Sequence, residues 1–158
     1  MPDEMVVNVA ALAQKSIGEN GVRLSIENSG QPFRSMGLLL GLARRRLADP
    51  ALALELGLCF DPTNPIMSGL AGDPLEELGR LPTDMLMLAH FKQCVGRMVI
   101  PTVAEGDVDF ARYVEVLGSS GYNGPLVFEI PPDDEAFENL SASFAYTIGL
   151  LPRGKAAL

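Results

Sequence analysis

The chain has one histidine, two cysteines and no apolar run of membrane length. Each shortage narrows what it can be. Cys59 and Cys94 make no framework of disulfide spacings, which sets aside the small disulfide-stapled secreted domains. The densest apolar stretch, MGLLLGLA, is broken at once by RRR at 44–46, well short of the roughly 18 residues that a membrane span requires. The opening MPDEMVVN carries neither a basic n-region nor an apolar h-region, so no secretory signal is read, and a cytoplasmic protein with reduced thiols is expected. Basic residues are also scarce: 12 Lys and Arg stand against 20 Asp and Glu, for a net charge of −8 and a pI near 4.6. That balance opposes a nucleic-acid backbone as the main partner. Neither nucleic acid nor membrane is expected.

What is present is apolar and evenly spread. The 158 residues are 47% hydrophobic with a mean hydropathy of +0.20, enough for one domain with a real core and strands buried on both faces. No linker or low-complexity segment divides them. Val9, Leu12, Ala13 and Ile17 keep helical spacing, and GENG closes that helix. VRLSIE (22–27) alternates as a strand, and Met36, Leu39, Leu40, Ala43 and Leu47 mark a second helix that ends near ADP at 48–50. LGLCFD (56–61) has strand length; a Pro/Gly-rich loop, a short helix around DPLEELG and the MLMLAH strand (85–90) follow. Asp107 or Asp109 can cap a helix carrying Phe110, Tyr113, Val114 and Leu117. PLVFEI is a fourth strand (125–130), and Leu140, Phe144, Thr147 and Ile148 mark a final helix. Strands alternating with helices predict right-handed βαβ units around a parallel sheet, an α/β fold.

The four strands end alike, in Glu27, Asp61, His90 and Glu129. Alternation sets Glu27 on one face with Ser25 and Arg23, Asp61 with Cys59 and Gly57, and Glu129 with Val127. The opposite face carries Leu24, Ile26, Leu58, Phe60, Leu126 and Phe128, suited to packing under helices. In a parallel sheet all C-terminal ends lie on one edge, where α/β enzymes place their sites. Neighbouring strands are roughly 4.8 Å apart, so four such groups converge if the sheet curves. Three carboxylates and an imidazole that close either shift their pKa values or hold a cation. Three oxygens and one nitrogen suit one Mn²⁺, Mg²⁺ or Co²⁺ better than structural zinc, and Mn²⁺ is the first expectation.

At these residues the sequence resembles the xylose isomerase-like TIM barrels, the sugar-phosphate isomerase/epimerase superfamily. The resemblance rests on SIEN (25–28), FDPTN (60–64), HFKQ (90–93), AEGDVDF (104–110), GYNG (121–124) and LVFEI (126–130) in that order. It implies that Glu27, Asp61, His90 and Glu129 hold one divalent metal and that Glu27 and Glu129 form the acid/base pair. It further implies a sugar or sugar phosphate as substrate, with Asn64, Lys92 and Arg97 as substrate-binding candidates. Lys92 and Arg97 would neutralise an anionic group. Asn64 stands where the family often has histidine, and an amide hydrogen-bonds a hydroxyl without relaying a proton. A (β/α)₈ barrel takes about 250 residues, and residues 1–158 resemble only its last four strands, a half-barrel. A homodimer or a complementary half-barrel chain is therefore expected to complete it, and a partner subunit without catalysis is the alternative. An apurinic endonuclease-like metal hydrolase fits less well, because its zinc site needs several histidines.

Other features read plainly. RRR at 44–46 is expected to be a solvated helix face, Cys59 and Cys94 packing and loop residues, and AEGDVD a capped helix start without EF-hand spacing. SGLAG at 68–72 matches no phosphate-binding fingerprint.

Overall fold

The computed structural model describes residues 3–151. Helix α1 (Asp3–Asn20) leads to β1 (Leu24–Glu27), then α2 (Phe33–Arg44), a one-turn α3 (Pro50–Leu54) and β2 (Leu56–Phe60). Short α4 (Thr63–Met67) and α5 (Pro74–Gly79) precede β3 (Leu86–Phe91). A hairpin, β4 (Gln93–Val95) and β5 (Met98–Ile100), follows, then α6 (Phe110–Ser119), β6 (Leu126–Phe128) and α7 (Ala136–Leu150). The sheet is parallel in the order β1-β2-β3-β6, as the strand–helix rhythm predicted, and among the described residues it does not close into a barrel. Among the described residues, no helix is long and apolar enough to cross a membrane.

The core lies between the sheet and its helices. Leu56, Leu58, Phe60, Ala89 and Phe91 point down onto Phe33, Leu40, Phe110 and Tyr113, all fully or almost fully buried. The aromatic rings meet edge-on or tilted, with Phe33–Phe60 centroids 4.6 Å apart, Phe91–Tyr113 5.1 Å and Phe91–Phe110 5.2 Å, geometries favoured by the ring quadrupoles. The Tyr113 hydroxyl donates to the His90 carbonyl at 3.3 Å. The core thereby grips the strand end that carries the histidine.

One irregularity sets the orientation of that histidine. Leu58 pairs with Leu86 but Cys59 pairs with Leu88, so β3 holds one extra residue, Met87. Such a bulge shifts the side-chain alternation by one. Leu86 faces the helices, yet His90 four residues later faces the opposite side, with Leu88. Gly57 makes the room: a Cβ there would lie 2.6 Å from the Met87 Cβ.

Several expectations need correction. Leu12 is exposed, and Val6 and Ala10 join the expected Ala13 and Ile17 on the packed face of α1, where small residues let it approach α2 closely. Helix α7 turns Ser143 inward beside the expected Thr147 and leaves Leu140 and Phe144 partly exposed; among the described residues the last strand, β6, has no neighbour beyond it to cover them. RRR is not uniformly solvated. Arg44 is mostly buried: its Nε donates to the Leu56 carbonyl and its Nη1 to Asp84 Oδ2, each at 2.9 Å. Asp109 caps α6 through the Arg112 amide, whereas Asp107 accepts from the Gly96 amide at the hairpin tip.

Candidate metal centre

Glu27, Asp61, His90 and Glu129 come together at the C-terminal edge of the sheet, each offering one donor atom within 4.8 Å of every other. His90 Nδ1 lies 3.2 Å from Glu129 Oε2, 3.5 Å from Glu27 Oε1 and 3.9 Å from Asp61 Oδ2. Parallel pairing brings this about. Cys59 sits beside Glu27 across β1 and β2, so Asp61 follows one step above, while His90 sits beside Val127 across β3 and β6. The Glu129 amide extends the last ladder by donating to the Phe91 carbonyl.

Asp61 is the anchored member and is fully buried. Its Oδ1 accepts from the Thr63 amide at 2.7 Å and the Thr63 hydroxyl at 2.6 Å. Asn28, also fully buried, fixes the Asp61 backbone on both sides: its Nδ2 donates to the carbonyl and its Oδ1 accepts from the amide, each at 2.8 Å. Thr63 and Asn28 were not singled out in the sequence, although Asn28 stands in the SIEN motif.

Lys92 and Asn64 link the carboxylates. Lys92, only 6% exposed as a residue, sets its ammonium 2.7 Å from Asp61 Oδ2, 3.1 Å from Glu129 Oε2 and 3.2 Å from Asn64 Oδ1. Asn64 Nδ2 donates to Glu27 Oε1 at 2.8 Å and to the Asn28 carbonyl at 2.9 Å. Arg97 is elsewhere. It is exposed at the turn of the β4–β5 hairpin, with its guanidinium beside Gly69.

Charge shapes these groups. Burial acts to raise the Asp61 carboxyl, but His90, Lys92 and Thr63 outweigh it and hold it down at about 2. The Asp61 carboxylate and the Cys59 thiol push His90 up to about 10, against burial. Burial disfavours the Lys92 ammonium, yet Asp61 and Glu129 more than compensate and its pKa is raised. Burial lifts the Cys59 thiol despite its contact with His90.

The donor set fits a divalent ion. Among the described residues, Asp61 Oδ2 and His90 Nδ1 are buried and have no hydrogen-bond partner; Lys92 approaches Oδ2 closely, but off the direction of a hydrogen bond. Orphaned buried polar atoms are costly and rare. Two of them facing one point, ringed by carboxylates, mark a place where a cation would satisfy both.

No family model matches the sequence, and no curated protein matches it. Solved structures do. A xylose isomerase domain protein from Planctomyces limnophilus superposes on 93% of this chain and 52% of its own, with a TM-score of 0.76 and 22% identity. The IOLI protein with a bound zinc atom matches 92% of this chain and 54% of its own, at a TM-score of 0.69 and 14% identity. An L-ribulose 3-epimerase matches 92% and 47%, at 0.62 and 19%. The chain spans about half the length of these structures, and over that half it has the fold of the xylose isomerase-like TIM barrel proteins.

Proposed function

We propose that this chain carries the metal centre and the acid/base pair of a divalent-metal-dependent sugar or sugar-phosphate isomerase or epimerase. The observation that supports this most is the ring of Glu27, Asp61, His90 and Glu129, in which Asp61 Oδ2 and His90 Nδ1 have no hydrogen-bond partner among the described residues. Its place at the C-terminal edge of a TIM-barrel-like sheet is where such barrels work. The similar structures include a xylose isomerase domain protein and an L-ribulose 3-epimerase.

Mn²⁺ heads the candidates, with Mg²⁺ and Co²⁺ beside it; the zinc in the IOLI protein adds a fourth. A divalent ion held by the four residues supplies Lewis-acid polarisation of a substrate carbonyl and its neighbouring hydroxyl. The chain's own residues then handle the proton. Glu27 is tethered by one oxygen, Oε1, to Asn64, and Glu129 by one oxygen, Oε2, to Lys92. Each is oriented while its second oxygen stays available. One removes the proton α to the carbonyl, leaving an enediolate, and the other returns a proton. Isomerisation and epimerisation share that step. With both ends of its amide engaged, Asn64 acts here by orienting Glu27 and Lys92 more than by contacting substrate. Arg97, exposed on the hairpin outside the ring, would serve only an anionic substituent that reaches beyond it.

The test is exchange of the α-proton of ketoses in D₂O by the Mn²⁺-loaded protein, followed by NMR. Exchange that disappears in Glu27→Gln and Glu129→Gln supports the reading. Full exchange in both variants defeats it.

A second reading has an observation of its own. Leu126 and Val127 on the edge strand, and Phe137 and Phe144 on α7, are exposed, and open sheet edges invite pairing. The unit would then act only with a complementary half-barrel. Exchange activity that appears only when such a half is supplied would favour it.

A further inference from the structure

The buried lysine inside the donor ring has no role in holding an ion, and a cation beside a cation site is electrostatically opposed to it. Lys92 leaves the sheet two residues after His90 and buries its ammonium against Asp61 Oδ2, Glu129 Oε2 and Asn64 Oδ1. It donates to Glu129 Oε2 and Asn64 Oδ1 and meets Asp61 Oδ2 as an ion pair. Asp61 and Glu129 are two of the four donors, and Asn64 passes the tie on to Glu27, a third. The lysine therefore contacts or is bridged to every carboxylate of the ring.

We propose that Lys92 is a resident counter-cation of the metal centre, a positioning residue that sets the charge the site accepts. This rests on the metal-centre reading given above. Three carboxylates carry −3; Lys92 brings that to −2, which one divalent ion neutralises when His90 binds as the neutral imidazole. Without an incoming ion, the ammonium keeps the carboxylates from repelling one another apart and holds them near their working positions. With one, the ammonium and the ion share Asp61 and Glu129. Lys92 thus weakens absolute metal affinity and favours divalent over trivalent ions.

The experiment is a calorimetric titration of the protein with Mn²⁺ and separately with Tb³⁺, for wild type, Lys92→Met, Lys92→Gln and Lys92→Arg. Thermal melts accompany it with and without Mn²⁺. Lys92→Met and Lys92→Gln should bind Mn²⁺ roughly tenfold or more tightly at unchanged stoichiometry, since a unit charge within a few ångströms is removed. The preference for Tb³⁺ over Mn²⁺ should rise by about tenfold or more in both. Their metal-free forms should melt lower and recover with Mn²⁺, while Lys92→Arg should keep the wild-type ion preference. Lys92→Gln keeps a hydrogen-bond donor for Glu129, so it remains informative if Lys92→Met does not fold. Weaker Mn²⁺ binding in the neutral variants, or an unchanged Tb³⁺ to Mn²⁺ preference, overturns the proposal while leaving the metal centre standing. Absence of Mn²⁺ binding in the wild type overturns both.

Discussion

Gly57→Ala tests how the fold aims its histidine. The new Cβ would lie 2.6 Å from the Met87 Cβ, 3.1 Å from its Cε and 3.3 Å from the Met85 carbonyl. The closest of these contacts involves a Cβ fixed to the backbone, so β3 itself must move. Overpacking of this kind costs about 1–3 kcal/mol. The strand can relieve the clash by flattening the bulge, but that resets the alternation and turns His90 toward Phe60 and Tyr113. Stability would be read from urea unfolding, where a lower midpoint at unchanged slope reports the cost. Mn²⁺ affinity, read by calorimetry, should fall by roughly tenfold or more, the equivalent of about 1.4 kcal/mol. Removing the opposing Cβ with Met87→Gly should restore most of both losses, as coupled neighbours do. If Gly57→Ala kept wild-type stability and metal affinity, the bulge would not be what orients His90.

Other consequences follow from the same centre. Asn28→Ala deprives the Asp61 amide and carbonyl of their buried partners, so unfolding midpoints should drop by the equivalent of about 2–6 kcal/mol at roughly 1–3 kcal/mol per unsatisfied group, with metal affinity falling alongside. A metal ion must displace the proton that His90 holds up to about 10, so calorimetry in buffers of differing ionisation enthalpy should show proton release on Mn²⁺ binding. Apparent affinity should then tighten as pH rises from 6 to 9; pH-independent binding without proton release would refute this. For the metal-free protein, the raised His90 pKa contributes stability that is complete below the ordinary imidazole value near 6.5 and is lost as pH climbs through about 10. The lowered Asp61 pKa contributes stability that is present above 3.8 and lost as pH falls through about 2. Thermal melts should therefore be highest between these windows.

The sheet was legible in the sequence because its strands are short apolar runs, each closed by an ionisable residue. The convergence of Glu27, Asp61, His90 and Glu129 was legible for the same reason. Their facing was legible for Glu27, Asp61 and Glu129, whose strands alternate, but not for His90. MLMLAH is apolar at nearly every position, so the extra residue at Met87 leaves no trace in the pattern; only Gly57, two strand positions before Cys59, hints at a close approach. Helices α1 and α7 misled in part: Leu12, Leu140 and Phe144 suggested the inner face, while Val6, Ala10 and Ser143 join the expected Ala13, Ile17 and Thr147 in the packing. The hairpin β4–β5 went unread, although Gly96 at positive φ marks its turn. Burial of Lys92 and Arg44 was not visible either. Long cationic side chains default to solvent, and only the placement of Asp61, Glu129 and Asp84 in space reveals why these two do not.

The most direct measurement is Mn²⁺ titration of the purified chain by calorimetry beside His90→Ala and Glu129→Gln. A ring built from all four residues should bind one ion per chain, and each variant should lose affinity by roughly tenfold or more. A wild-type chain that binds no Mn²⁺, or variants that bind as tightly as it does, would contradict the proposed centre.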